Sequence, residues 1–254
     1  MSIHLPDLSG SVLVYMLVFA RVGAMVMLLP NIGENGIPAR VRLVLALAIS
    51  FALAPTVLNL YPQEAPATSM ALSILIAKET TIGILVGTMA RIITSALNIA
   101  GYLIATQTGL AYAQTLDPTQ GEQGAVLGNF LSILGVLMLF LTNLHHLAIG
   151  AIAGSYRMMP PGEALPLADM AQLTISLVSG SFALGFQLAA PFLVFGFAVY
   201  AGLGILARLM PQLQIFFVAV PINIVCGFLI LLAMMGAMMT IFVNYYATQM
   251  ANFL

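Results

Sequence analysis

Long apolar runs alternate with short polar loops along this chain: Ser11–Leu29, Leu43–Leu60, Met70–Ala113, Ala125–Ala153, Met170–Leu206 and Ile215–Tyr246. Strands of a membrane barrel alternate apolar and polar side chains over about ten residues. These runs are longer and lack that alternation, so they predict helices. A span needs ~20 mostly apolar residues. The pattern therefore predicts an all-α, polytopic helical membrane protein, with residues 1–254 forming a single membrane domain of bent helical hairpins. Turn signals part the runs: Pro30 with Asn31 to Gly36, Tyr61-Pro62 to Pro66, Asp117-Pro118 with Gly121 and Gly124, Pro160-Pro161-Gly162, and Arg208 to Pro211.

Two runs overshoot a single crossing. At about 1.5 Å per residue, Met70–Ala113 and Met170–Leu206 both exceed an ~30 Å hydrocarbon core. Each must bend back, tilt strongly, or project out of the bilayer into other protein. Pro191 and Pro221 predict breaks, because a mid-helix proline removes a backbone hydrogen bond and clashes with the preceding turn. Freed carbonyls in lipid must be covered by protein, so the chain requires partner subunits.

Composition agrees: 61% of residues are hydrophobic, only 6% are charged, and mean hydropathy is +1.08. A soluble domain carries about a quarter charged residues. Seven Lys+Arg against eight Asp+Glu give a net charge of -1, which excludes nucleic acid and anionic surfaces as main partners. The single cysteine, Cys226, rules out an internal disulfide and reads as a small buried hydrophobe. Residues before the first run carry Asp7 but no Lys or Arg, so Val12–Leu29 is expected to be a retained helix rather than a cleaved signal. Arg40 and Arg42 place the Asn31–Arg42 loop in the cytoplasm and the amino terminus outside, since the Tyr61–Ser69 and Leu116–Gly124 loops have no basic residue.

Ionisable groups within apolar runs are candidate sites because burying them is costly; here they are Arg21, Lys78, Glu79, Arg91, His145 and His146. Lys78 and Glu79 point about 100° apart on a helix, so each needs another partner. Glu79, Gly83, Gly87 and Arg91 recur every four residues, and the stripe continues through Thr94, Asn98 and Gly101. Such a stripe is either an ion or proton path or a packing seam. The seam is the simpler reading, because Gly83-x-x-x-Gly87 lets two backbones approach closely and only one carboxylate is present. His145 and His146 cannot both face one ion from adjacent helical positions, and no acidic partner lies nearby. No nucleophile, phosphate loop or carboxylate pair can be assembled, so no enzymatic activity, cofactor or metal is expected. The Tyr112–Gly124 loop has an apolar root and a polar tip, which suits a connector or a flexible gate.

Four stretches in order resemble the FliR family of flagellar and type III secretion export-gate membrane proteins. They are Pro30 to Arg42, with Gly33, Ile37-Pro38, Arg40 and Arg42; Gly101-x5-Gln107-x-Gly109-Leu110-Ala111-Tyr112-Ala113, closed by Asp117-Pro118; Asn143-Leu144-His145-His146 with Ser155, Pro160 and Gly162; and Arg208-x-x-Pro211-Gln212-x-Gln214-Ile215-Phe216 with Pro221 and Gly227. The resemblance implies one subunit of a hetero-oligomeric export gate, built with FliP-like and FliQ-like subunits and served by an FlhB-like switch protein. It also implies a bacterial inner-membrane, flagellar basal-body location and unfolded flagellar subunits as transient cargo. Residues 1–165 would be FliP-like and 166–254 FliQ-like. A pore plug would fall at Leu110, Tyr112, Gln114, Thr115, Leu116 and Asp117, with Thr115 where the family often has a second aromatic. Leu144 stands where a glycine is common before the histidines. A small-solute or proton-coupled transporter is the alternative, but it needs an inverted repeat and a midplane polar site, and neither is visible.

Overall fold

The computed structural model describes residues 8–30, 32–33, 37–61, 68–110, 126–210 and 215–253. Every regular element among them is helical: α1 (Leu8–Leu28), α2 (Ala39–Val57) with a short 3-10 turn (Leu58–Leu60), α3 (Ser69–Gln107), α4 (Val126–Leu141), α5 (His145–Met158), α6 (Leu167–Leu209) and α7 (Ile215–Ala251). The all-α membrane class is as the apolar runs predict. Among the described residues, Ala39–Leu60, Ser69–Gln107, Leu167–Leu209 and Ala219–Ala251 are each long and apolar enough to cross a membrane. The α4–α5 pair supplies a fifth if it counts as one broken span.

The overlong segments do not fold back on themselves. The α3 helix has 39 residues and α6 has 43, lengths of about 58 and 64 Å at the α-helical rise. The breaks expected at Pro191 and Pro221 are absent, since both prolines lie inside continuous helices. Each proline removes one rung from a long ladder, and the turns on either side hold the helical geometry, as membrane helices allow. The interruption falls in the Ala125–Ala153 run instead. Thr142 to Leu144 form a turn between α4 and α5, with Asn143 at φ 58°. Asn tolerates this left-handed conformation better than most residues.

The chain divides into two compact units. The first comprises Met1–Ile93, Asn143–Leu177 and Ala247–Leu254, and the second Thr94–Thr142 and Val178–Tyr246. In the first unit, α1 buries Val14, Leu17, Val18, Arg21, Val22, Met25 and Val26, a stripe at helical spacing. The α3 helix contributes residues to both units, and its most apolar stretch is more deeply buried than those of α2, α6 and α7. In the second unit, Phe182, Phe186, Val194 and Phe197 on α6 stay exposed, as do Ile222, Val225, Leu229 and Leu232 on α7. These apolar stripes are surfaces made for lipid or for other subunits.

Candidate functional site

Arg21 is the centre of a buried polar knot in the first unit. It and Glu79 are each only 1% exposed. Arg21 Nε donates to Glu79 Oε2 at 2.6 Å, Nη1 to Ser155 Oγ at 3.3 Å, and Nη2 to the Met159 carbonyl at 3.0 Å. The guanidinium also lies 4.0 Å from the centre of the Tyr156 ring, a cation–π contact. Ser155 Oγ donates in turn to the Ile152 carbonyl at 2.6 Å, leaving its lone pairs for Arg21. Met159 follows the last residue of α5, so Arg21 brings a cation to that helix's carboxyl end, where the helix dipole favours it. One side chain thus ties α1 to α3 and to the end of α5.

Tyr61, 3% exposed, stands beside Tyr156 with ring centroids 6.3 Å apart. Burial first, then the neighbouring Tyr156 and Glu79, pushes the Tyr61 phenol far above its ordinary range, so it stays neutral. The hydroxyls of Tyr61 and Tyr156 are both buried, and the two phenol groups interact with each other. Lys78 turns away from Glu79, and its Nζ donates to the Glu163 carbonyl at 3.3 Å, just beyond Gly162 at φ 89°. The two adjacent charges therefore have separate partners.

The Glu79–Gly101 stripe runs along both units. A Cβ on Gly83 would overlap the Arg21 carbonyl oxygen, and one on Gly87 would meet Leu28 Cβ and the Met25 carbonyl. The α1 backbone comes this close only because both positions are glycine. That approach places Arg21 within reach of Glu79, one turn before Gly83. In the second unit a Cβ on Gly101 would overlap Gly128 of α4, and one on Gly128 would sit 3.2 Å from Asn98 Oδ1. Arg91 lies on the exposed side of α3 and Asn98 is exposed beside Gly128.

The remaining predicted positions are spread over the chain. Arg40 is exposed in the first turn of α2, whereas Arg42 Nη1 donates to the Gly33 carbonyl at 3.0 Å. Gln107 fills the notch at Gly196 in the second unit, and Thr108 fills the one at Gly227. Gly109 has φ 81° and ends α3, its N–H bonded to the Thr106 carbonyl at 3.4 Å, with half-buried Leu110 next. The His145 and His146 rings lie 4.1 Å apart, centroid to centroid. Arg208 and Pro221 are exposed. Tyr112, Gln114, Thr115, Leu116, Asp117, Pro118, Pro211 and Gln212 lie outside the described residues. Tyr61, Tyr156 and the Met159 carbonyl were not anticipated as partners of the knot, although an arginine inside an apolar run demands several acceptors.

Long apolar helices, with a buried ion pair bracing α1 to α3 and much apolar surface turned outward, define a polytopic membrane protein. The family of bacterial export proteins, family 1, matches residues 12–248, and the chain belongs to it. It is 40% identical over 230 residues to the flagellar biosynthetic protein FliR of Caulobacter vibrioides, covering 91% of each chain. It is 30% identical over 216 residues to the FliR protein of Escherichia coli, covering 85% of this chain and 81% of that one. The Yop proteins translocation protein T of Yersinia pestis is 28% identical over 233 residues, covering 90% and 88%.

Proposed function

We propose that the chain is a subunit of a flagellar type III protein export apparatus, forming part of the channel that passes unfolded flagellar subunits. The observation that carries this is the family match over residues 12–248 together with similarity to FliR proteins along nearly the whole length. The outward apolar stripes on α6 and α7 support an assembled rather than a solitary state. The partners are FliP-like and FliQ-like subunits, with an FlhB-like switch protein, in the bacterial inner membrane at the flagellar base. Residues 1–165 play the FliP-like part and 166–254 the FliQ-like part. The chain supplies no enzymatic step.

In this reading the Glu79–Gly101 stripe is a packing seam, and Glu79 serves as the counter-ion of Arg21 rather than a proton carrier. The segment from Leu110 through Tyr112, Gln114, Thr115, Leu116 and Asp117 is the closed-state barrier. The left-handed Gly109 stops α3 where that segment begins. Extraction of the tagged chain in mild detergent tests the assignment. FliP-like and FliQ-like subunits should co-elute with it in fixed ratio; a monodisperse chain that alone transports a small solute would overturn it.

A further inference from the structure

In the second unit α6 meets α3 at two glycines that lie on either side of Pro191. A Cβ on Gly185 would sit 2.7 Å from Ile99 Cγ2 and 3.1 Å from the Ala96 carbonyl, and one on Gly196 would overlap the Gln107 carboxamide. Between the two, Pro191 offers no N–H to the Gln187 carbonyl, so the ladder lacks a rung. The helix is continuous there, yet this is where it bends at least cost. Past Gly196 it is sparsely clad: Phe197, Ile205, Leu206 and Leu209 are exposed, and a Cβ on Gly202 or Gly204 meets nothing within 4 Å. A stretch with so few buried contacts is the least stable part of its helix.

The end of α3 is seated by fit. Gln107 fills its notch with the far end of a flexible side chain, which leaves by a rotamer change. Thr108 spends its hydroxyl on the Ile104 carbonyl of its own helix, at 2.9 Å, and turns its methyl to Gly227 of α7. The contrast is with Glu79 on the same helix, which is fixed by a charge-assisted bond from Arg21. We propose that Gln107 is the latch of a hinge at Pro191. In the conducting state α6 past Pro191 swings off the end of α3 and Gln107 leaves the Gly196 notch, while the Ile99–Gly185 contact before the hinge stays closed. What the swing serves rests on the export reading; the swing itself rests on the second unit alone.

Two measurements test it, both on the full chain with its co-purified subunits and with the native thiol removed by Cys226→Ala. The first needs no export. Tyr102 and Ile205 are exposed, so spin labels on Tyr102→Cys and Ile205→Cys read the separation of α3 from the far part of α6 by pulsed electron resonance. Adding Gln107→Ala should move the labels about 5 Å or more further apart, because a rise of about 1.5 Å per residue carries a small bend well outward. An unchanged distance would overturn the latch. The second uses disulfides. A Cβ at Gly196 lies 3.3 Å from Gln107 Cβ, and one at Gly185 lies 2.9 Å from Ile99 Cβ, so small shifts close a bond of about 3.5–4.5 Å between Cβ atoms at either pair. Oxidised Gln107→Cys, Gly196→Cys should export at least about tenfold less and recover on reduction, whereas oxidised Ile99→Cys, Gly185→Cys should stay within about twofold of its reduced form. Export that continues with the first bond closed, a first pair that does not cross-link, or an equal block by the second pair would each overturn the hinge. Export by the reduced variants reports on the export reading separately.

Discussion

Glu79 of α3 and Arg21 of α1 form an ion pair of 2.6 Å in a place that excludes water, with both side chains 1% exposed. The pair has no solvent to fall back on, so removing one member strands the other. Glu79→Ala should cost about 3–5 kcal/mol, the usual penalty for breaking a buried pair from one side. The Arg21→Met, Glu79→Leu double variant should recover most of that stability. Thermal unfolding of the assembled complex in detergent reads both. A Glu79→Ala protein as stable as the parent would show that the pair carries no structural weight.

Glu79→Gln separates a brace from a proton carrier. Glutamine keeps an oxygen for Arg21 Nε but cannot cycle a proton. Export, followed as swimming-halo diameter, should persist in proportion to the amount of assembled chain. Full assembly with abolished export would favour the proton path.

Glycines with and without room should respond oppositely to alanine. Gly83 and Gly87 face α1 backbone and Cβ atoms that cannot swing aside, so Gly83→Ala and Gly87→Ala should each lose about 1–3 kcal/mol through overpacking. A Cβ at Gly202, Gly204 or Gly236 meets nothing within 4 Å. Alanine there should be neutral within the chain or raise stability by about 0.5–1 kcal/mol through backbone entropy. Melting temperatures of the variants check the contrast.

Two left-handed residues make a second contrast. Gly109 at φ 81° ends α3, and Asn143 at φ 58° turns the chain from α4 to α5. Gly109→Ala and Asn143→Val should each lose about 1–2 kcal/mol from Cβ strain, whereas Asn143→Gly should be tolerated. Yield of folded chain after extraction would distinguish them.

Deleting Gln114–Gly121 should raise ion conductance of the reconstituted gate, because it shortens the proposed barrier without touching Gly109. Unchanged leak would count against that segment as the closure.

The helical class and the spans were legible because a bilayer permits few alternatives and the apolar runs are long. The partner of Arg21 was not. Periodicity puts Glu79 on a face of its own helix, but which helix meets that face depends on Gly83 and Gly87 admitting α1, a tertiary fact. The prolines misled for a related reason. Pro191 and Pro221 weaken a helix locally, yet the long helical stretches on both sides outweigh one lost bond. The α4–α5 turn was missed because Thr142-Asn143-Leu144 carries neither proline nor glycine and sits within apolar sequence.

The Lys78 ammonium is held by the main-chain oxygen of residue 163, not by its carboxylate. Every amino acid brings that oxygen, so this contact does not depend on the side chain at 163. The anchor depends instead on the bend at Gly162 that aims the carbonyl, a residue with no functional group at all.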